Sequence, residues 1–146
     1  MTGLRAGDLT PGQTFETTVV ADLKRTQIVQ YAGASGDFNP LHTDEIYATK
    51  IAGYPSVFAH GMLTMGLTGQ AVAALVGPDQ LLQFGVRFTA QVWPGDTLTV
   101  RAAVERVDDH GDEPVAEFTV STVAVPVPDG DAREVMSGYF RARVAR

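Results

Sequence analysis

Residues 61–77 read GMLTMGLTGQAVAALVG, and this is the longest apolar run of the chain. The run is shorter than the roughly 20 residues that a bilayer-spanning helix needs, and two threonines and a glutamine interrupt it. It therefore predicts a buried helix from about Gly61 to Val76, which ends at the glycine and proline that follow. Because Gly66 and Gly69 lower the helix propensity, we expect this helix to be packed tightly on all sides.

Downstream of this helix the hydrophobic pattern changes to period two, which is typical of strands with one buried face. One strand is predicted over residues 81–92, and three more follow it. Turns are predicted at residues 94–96, 108–114 and 126–131, where proline, glycine and aspartate cluster. The predicted buried faces of the last three strands are Leu98, Val100, Ala102 and Val104, then Ala116, Phe118 and Val120, then Met136, Gly138, Phe140 and Ala142.

Upstream of the helix, residues 13–21 are rich in threonine, valine and phenylalanine and predict a first strand. Asp22 is predicted to cap a helix over residues 23–34, and Thr43 to cap a second, short helix. One strand, then helices, then a run of antiparallel strands is an α+β order. A single very apolar helix beside such a sheet predicts that the sheet wraps around it. The sequence shows no internal repeat or linker, so residues 1–146 are expected to form one domain.

The composition excludes several classes of function. The chain of 146 residues has no cysteine, which rules out disulfides, thiolate nucleophiles and cysteine-ligated zinc or iron–sulfur sites. Its formal net charge of −6 argues against a nucleic-acid partner, because nucleic-acid-binding proteins normally present a basic face. The N-terminal residues lack the apolar core of a signal peptide, so a cytoplasmic protein with no membrane association is expected.

Two short segments carry the candidate chemistry: SGDFNPLH at residues 35–42 and AHGM at residues 59–62. The first sets Asp37 and His42 five positions apart on a turn-rich stretch, and the second places Gly61 at the start of the apolar helix. A carboxylate, an imidazole and a free backbone N–H can together move protons next to a polarised carbonyl. Spacing alone leaves open that Asp37 caps a turn and that His42 is a satisfied loop histidine.

These segments resemble the MaoC-like hotdog family of (R)-specific enoyl-thioester hydratases and 3-hydroxyacyl-thioester dehydratases. The resemblance rests on YAGASGDFNPLH at residues 31–42, AHGML at 59–63, VRFT at 86–89 and WPGD at 93–96. It extends in particular to the single-hotdog catalytic subunits of mycobacterial (3R)-hydroxyacyl-ACP dehydratases. It implies a hotdog fold, in which an antiparallel sheet wraps one central helix, and a hydro-lyase activity that needs no cofactor. It also implies dimers that join two sheets edge to edge, with the active site at the interface.

The resemblance assigns the central roles to three residues. Asp37 is the candidate that binds and activates water, and His42 is its partner in proton transfer. Which of the two takes the α-proton in dehydration stays open, so they are treated as a pair. Gly61 is the candidate oxyanion donor, because the backbone N–H groups at a helix N-terminus are unpaired and carry partial positive charge.

Four neighbouring positions complete the predicted site. Ser35, Asn39 and Met62 are candidate substrate contacts, although Asn39 is also expected to hold the loop through its amide. His60 is expected to be structural, with its ring bonded to the backbone. No metal ligand is assigned. The acyl chain length is expected to depend on a tunnel formed by the central helix and residues 81–92.

The substrate implied by the resemblance is an acyl-CoA or acyl-ACP thioester, and the implied partner is a second copy or a related hotdog subunit. One alternative is that the chain is active only as a heterodimer with a second hotdog chain. Another is a thioesterase, in which Asp37 directs water to the thioester carbon. A metal hydrolase using Asp37, His42 and His60 is disfavoured, because no two of these residues have the i, i+4 spacing of helical ligands.

Overall fold

The computed structural model describes residues 3–111 and 113–146, and its order of elements is α+β, as the sequence predicts. None of the helices in these two ranges is long and apolar enough to cross a bilayer. Short helical turns lie at Ala6–Asp8, Pro40–His42, Tyr47–Ile51 and Pro78–Gln80. The main elements are β1 (Thr14–Val20), α1 (Arg25–Ser35), α2 (Gly61–Val76), β2 (Leu81–Phe88), β3 (Asp96–Asp108), β4 (Val115–Pro126) and β5 (Arg133–Arg143).

The five strands form one antiparallel sheet in the order β1–β3–β4–β5–β2. The alternation predicted for β3, β4 and β5 is confirmed, since Leu98, Phe118 and Phe140 on their inner faces are almost completely buried. Helix α2 contacts both edge strands, β1 and β2, and also β5. The sheet therefore curves around α2, as the sequence predicts.

The main core lies between the C-terminal half of α2 and the sheet. Val72 and Val76 pack in the same cluster as Phe118 and Phe140. These two phenylalanines are register partners on β4 and β5, and their rings stack with centroids 4.4 Å apart. Burial of this apolar surface is the main force that holds the helix on the sheet, at roughly 25 cal/mol per Å².

The prediction that α2 is packed on all sides is wrong within this chain. A single sheet covers only one side of a helix, so one stripe is buried and the opposite stripe is exposed. Gly69 does have a close neighbour, because a Cβ at this position would lie 3.4 Å from the ring of Phe84, whereas a Cβ at Gly66 would face open space. The buried stripe is Thr64, Thr68, Val72 and Val76. The exposed stripe is Met62, Gly66, Gln70 and Ala74.

Helix α1 begins later than predicted, and Asp22 does not cap it. Asp22 has a φ of 56°, and the N-cap is Lys24. The next residue, Leu23, is held by the turn before β3: its N–H donates to the Asp96 carbonyl and its carbonyl accepts from the Gly95 N–H, both at 2.8 Å. These tertiary bonds keep Leu23 out of the helix, so packing overrides the local capping preference.

Thr43 does not cap the short helix after the candidate motif, and the N–H of its first residue, Tyr47, bonds to Asp44 instead. The Asp44 carboxylate accepts from the Tyr47 N–H at 3.0 Å. Thr43 instead closes the preceding turn, with its N–H on the Pro40 carbonyl at 3.3 Å. The two possible caps are adjacent in sequence, and the turn over Pro40–His42 decides between them.

Strand β2 ends at Phe88, four residues before the predicted end. The Thr89 N–H bonds to the Val135 carbonyl at 2.9 Å, and its hydroxyl donates to the Glu134 carbonyl at 3.0 Å. These bonds end the pairing of β2 with β5 after Phe88. Residues 89–92 then form a wall near the start of α2.

Candidate active site

The candidate motif begins where α1 ends. Gly36 is the C-cap of α1 with a φ of 75°, a left-handed conformation in which a side chain would be strained. The Ser35 hydroxyl donates to the Tyr31 carbonyl at 2.7 Å and accepts from the Asp37 N–H at 3.2 Å. Ser35, a predicted substrate contact, thus bonds to the backbone on both sides and fixes the direction in which Asp37 leaves the helix.

The Asp37 side chain is exposed and lies at the head of a tight loop. Its carboxylate accepts from the Asn39 N–H at 3.2 Å. The Asn39 side-chain oxygen accepts in turn from the Leu41 N–H at 3.0 Å and caps the turn over Pro40–His42. Asn39 therefore holds the loop through its amide, as the sequence predicts, and leaves the second oxygen of Asp37 available to solvent.

His42 is buried at the end of this turn, with 9% of its surface exposed. Its Nδ1 lies 2.6 Å from the Phe58 carbonyl oxygen, which can only accept, so Nδ1 carries the proton and Nε2 presents a lone pair. Burial lowers the pKa of His42 below its ordinary value of 6.5, and the His60 ring lowers it further. The Phe58 carbonyl and the Asp37 carboxylate oppose this shift. The ring is consequently neutral at neutral pH and able to accept a proton.

His60, the residue before α2, is almost fully buried. Its Nε2 donates to the Asp37 backbone carbonyl at 3.0 Å, so the prediction of a ring bonded to the backbone is confirmed. The ring also stacks on His42 with centroids 3.7 Å apart, and its edge meets Tyr31 at 4.9 Å. The stacking was not predicted, and no spacing rule in the sequence indicates that two histidines 18 positions apart lie face to face.

The carboxylate of Asp37 and one ring nitrogen each of His42 and His60 lie within 4.8 Å of one another. A histidine lone pair lies in the plane of its ring. The two rings are stacked with their planes inclined by only 25°, so one ion close to both rings cannot lie in both planes. A zinc ion needs converging nitrogens at about 2.0–2.1 Å. The arrangement is therefore better suited to proton transfer than to chelation.

Gly61 is the first residue of α2, where backbone N–H groups have no partner within the helix. A Cβ at this position would lie 3.2 Å from the ring of Phe88, so the close approach of β2 favours glycine. Met62, a predicted substrate contact, lies on the exposed stripe of α2 with 55% of its surface accessible. Within one chain, more than half of Met62 is therefore exposed to solvent.

A cavity of about 360 Å³ opens beside Gly61. Its walls include Thr64 of α2, Phe88 and residues 89–92, which is the region where the sequence predicts an acyl tunnel. Phe58 and Val135 also line it and were not anticipated. Asp37 and His42 are not part of the wall. Two residues of the wall connect to them: Phe58 bonds to His42 through its carbonyl, and Gly61 directly follows His60, which stacks on His42.

Comparisons with known proteins agree with this architecture. Residues 7–125 match the family described as MaoC like domain. The 3-hydroxyacyl-thioester dehydratase Y of Mycobacterium tuberculosis is 43% identical over 68 residues, which cover 44% of this chain and 23% of that protein. The enoyl-CoA hydratase ChsH3 of the same organism is 35% identical over 101 residues, which cover 67% of this chain and 35% of that protein. The matches thus span about a quarter to a third of these relatives.

The fold is also that of a solved relative. The unliganded R-hydratase PhaJ1 from Pseudomonas aeruginosa superimposes with a TM-score of 0.74 and 26% sequence identity, covering 99% of this chain and 87% of that chain. This similarity confirms the single hotdog fold that the resemblance implied. Since the family match covers well over half of the chain, the chain belongs to the family of MaoC-like domain proteins.

Proposed function

We propose that this protein catalyses the (R)-specific hydration of 2-enoyl thioesters and the reverse dehydration of 3-hydroxyacyl thioesters. The observation that carries the proposal is the convergence of the Asp37 carboxylate and a His42 nitrogen beside the N-terminus of α2, where a cavity opens. The cavity could hold the apolar acyl chain of the substrate. The backbone N–H groups at the start of α2 could bind the thioester oxygen. The hydratase and dehydratase names of the relatives support the same class of reaction.

The proposed chemistry adds water across the double bond next to the thioester. Water bound between Asp37 and His42 attacks the β-carbon and gives one proton to the pair. The pair then delivers a proton to the α-carbon, so that the elements of water are added without any cofactor. The neutral His42 supplies an accepting Nε2, since its Nδ1 proton is committed to Phe58. General acid–base catalysis of this kind contributes about 10²–10⁴-fold to a rate.

The negative charge that develops during the reaction lies on the thioester oxygen. We assign its stabilisation to the Gly61 N–H, which lies at the positive end of the α2 dipole. Loss of one such donor typically costs about 3–4 kcal/mol of transition-state stabilisation. The acyl chain would extend into the cavity between Thr64 and residues 89–92.

The test follows loss of enoyl absorbance with crotonyl-CoA and longer 2-enoyl-CoA substrates. Asp37→Asn and His42→Ala are expected to lower kcat by about 10²–10⁴-fold. The matched controls are Asp79→Asn and His110→Ala, which change the same residue types at exposed positions outside the site. Unchanged turnover in both site variants would contradict the proposal. Release of free thiol without loss of the double bond would instead indicate a thioesterase.

We further propose that a second copy of the chain completes the assembly along β2. Among the described residues this edge strand pairs with β5 alone, and its sequence LLQFGVRF contains a single charge. Leu82 and Phe88 on it are 41% and 49% exposed. The opposite edge, β1, carries Glu16 and is more polar, which discourages edge pairing.

Light scattering on the purified chain tests the assembly. A homodimer predicts twice the mass of one chain, independent of concentration in the micromolar range. A monomer that is inactive alone would contradict this form of the proposal. It would favour the alternative in which a related hotdog subunit covers β2. The same assay with acyl-ACP substrates would show which carrier is preferred.

A further inference from the structure

His60 makes contacts that the proposed reaction does not yet use. It is 2% exposed, and its Nδ1 is buried without a hydrogen-bond partner among the described residues. Such an unpartnered nitrogen typically costs about 1–3 kcal/mol of desolvation. A purely structural position would be filled at lower cost by an apolar aromatic ring. A histidine at this position therefore needs a reason beyond apolar packing.

The first contact fixes the backbone that carries the candidate acid. The Nε2–H of His60 donates to the carbonyl of Asp37 at 3.0 Å. Asp37 lies on an exposed loop between α1 and the Pro40 turn, and this bond ties the loop to the start of α2. The carboxylate of Asp37 and the N–H of Gly61 are consequently held by one side chain, since Gly61 follows His60 directly.

The second contact fixes the candidate base. The imidazoles of His60 and His42 stack at 3.7 Å, and Phe58 meets the His42 ring edge-on at 5.3 Å. The His42 ring is thus confined by the stack on one face and by its bond to the Phe58 carbonyl in its plane. One ring nitrogen of this confined His42 ring lies within 4.8 Å of the Asp37 carboxylate.

We propose that His60 is a positioning residue for the Asp37–His42 pair, holding the Asp37 backbone by a hydrogen bond and the His42 ring by stacking. This inference rests on the proposed hydration chemistry, in which His42 must accept a proton. A phenylalanine could provide the stacking but not the hydrogen bond. A glutamine could provide the hydrogen bond but not the stacking.

Electrostatics agrees with this geometry. Burial is the main cause that lowers the pKa of His42, and a positive charge on the stacked His60 would oppose a second charge on His42. Two titratable groups face His42: His60 before α2 and Asp37 in the loop after α1, which acts in the opposite direction. The Tyr31 ring of α1 packs against the His60 ring, with centroids 4.9 Å apart. Removal of His60 should therefore raise the pKa of His42 while Asp37 keeps its effect.

The test compares His60→Phe and His60→Gln with the wild-type chain. Both variants are expected to move the acid limb of kcat/KM to higher pH, because both remove the second imidazole. His60→Phe should also lower the plateau kcat by about tenfold, as loss of one hydrogen bond allows Asp37 to move. His60→Gln retains an N–H donor and should keep more of the plateau. Val76→Ala, at the apolar end of α2, is the control for lost stability and should move neither quantity.

A second readout does not depend on activity. The chain has three histidines, and His110 is exposed in a loop, so His42 and His60 can be assigned in NMR titrations by substitution. The His42 resonance is expected to titrate at higher pH in both His60 variants than in the wild type. An unchanged His42 titration in both would overturn the positioning role. If the wild type failed to hydrate enoyl thioesters while the titration shifted, the proposed function would fail and the His60–His42 coupling would stand.

Discussion

The two ends of α2 face the same sheet but bury different chemistry. The C-terminal end buries Val72 and Val76 against stacked phenylalanines. The N-terminal end buries Thr64 and Thr68, and the Thr68 hydroxyl lies 2.9 Å from the Thr64 carbonyl and 2.6 Å from the hydroxyl of Thr122. At the apolar end, shape alone decides the packing. At the polar end, each group needs a specific partner.

This difference indicates where stability and chemistry reside along one helix. Apolar burial is non-directional and stabilises in proportion to area, so the C-terminal end anchors the fold. The N-terminal end borders a cavity of about 360 Å³ and leaves one histidine nitrogen unpartnered. Cavities and unpaired polar groups both cost free energy. We therefore propose that the N-terminal end of α2 is the end that binds substrate.

The largest expected effect comes from breaking the apolar end. Phe118→Ala removes a ring that is 1% exposed and stacked on Phe140, so we expect the free energy of unfolding to fall by about 3–5 kcal/mol. Urea unfolding measures this loss. Hydration activity per folded molecule should stay close to wild type, because the site lies at the other end of α2. Val29→Ala, at a position 54% exposed, is the control and should change stability by less than about 0.5 kcal/mol. A large loss of specific activity in Phe118→Ala would contradict the proposal that the C-terminal end of α2 supplies stability and the N-terminal end supplies the chemistry.

The next effect tests a charge buried near the polar end. Asp96 is 1% exposed, accepts from the Trp93 N–H at 2.8 Å and forms an ion pair with Arg133. Asp96→Ala should lower the free energy of unfolding by about 3 kcal/mol, because the half-buried Arg133 would lose its partner. A double-mutant cycle with Arg133→Ala isolates the pair, and additive losses would show that the two charges do not interact. Because these bonds close the turn that follows residues 89–92, the KM for long acyl chains should also rise.

Sequence patterns predicted the sheet well because its alternation reflects burial directly. Leu98, Phe118 and Phe140 were placed on the inner face by period two alone, and they are buried there. The predictions of helix N-caps were wrong where tertiary hydrogen bonds compete with the local capping preference. Leu23 bonds to the turn before β3, so Asp22 could not act as a cap. The exposed stripe of α2 was missed because apolar composition does not tell how many neighbours a helix has in one chain.

The candidate site was predictable in its residues but not in its geometry. The motif resemblance named Asp37, His42 and Gly61, and the first two side chains come together in the structure. Their catalytic roles remain proposals. The stacking of His60 on His42 depends on how the loop after α1 returns to the start of α2, which involves long-range contacts that no local pattern encodes. Phe58 was missed for the same reason, since it acts through its backbone carbonyl.

A smaller effect separates two glycines of α2, Gly66 on the exposed stripe and Gly61 beside Phe88. Gly66→Ala adds a Cβ in open space and should stabilise a lone chain by about 1 kcal/mol through helix propensity. If a second copy covers this stripe, the gain should shrink or reverse. Gly61→Ala places a Cβ 3.2 Å from the Phe88 ring, which must shift, and should narrow the cavity mouth. Its hydration activity should fall while Gly66→Ala keeps its activity. Equal activity in both variants would argue against a role for the Gly61 position.

The smallest effect is a pH dependence confined to the polar end. The pKa of His42 is lowered in the folded chain, chiefly by burial, from the ordinary value of 6.5 that applies when it is unfolded. Above pH 6.5 the ring is neutral in both states, and its contribution to stability is complete. As the pH falls through 6.5, the unfolded chain binds a proton first, so the free energy of unfolding decreases until the pH passes below the folded pKa.

Urea unfolding between pH 7 and about pH 5 measures this slope, because histidine is the side chain that ordinarily titrates there. His42→Gln should remove the slope that His42 contributes, and His110→Gln, at an exposed loop position, should leave it in place. Phe118→Ala should lower stability by the same amount at every pH, since the apolar end carries no titrating group in its core cluster. An unchanged slope in His42→Gln would mean that His42 does not account for this pH dependence, and its role as the neutral base of the reaction would lose its support.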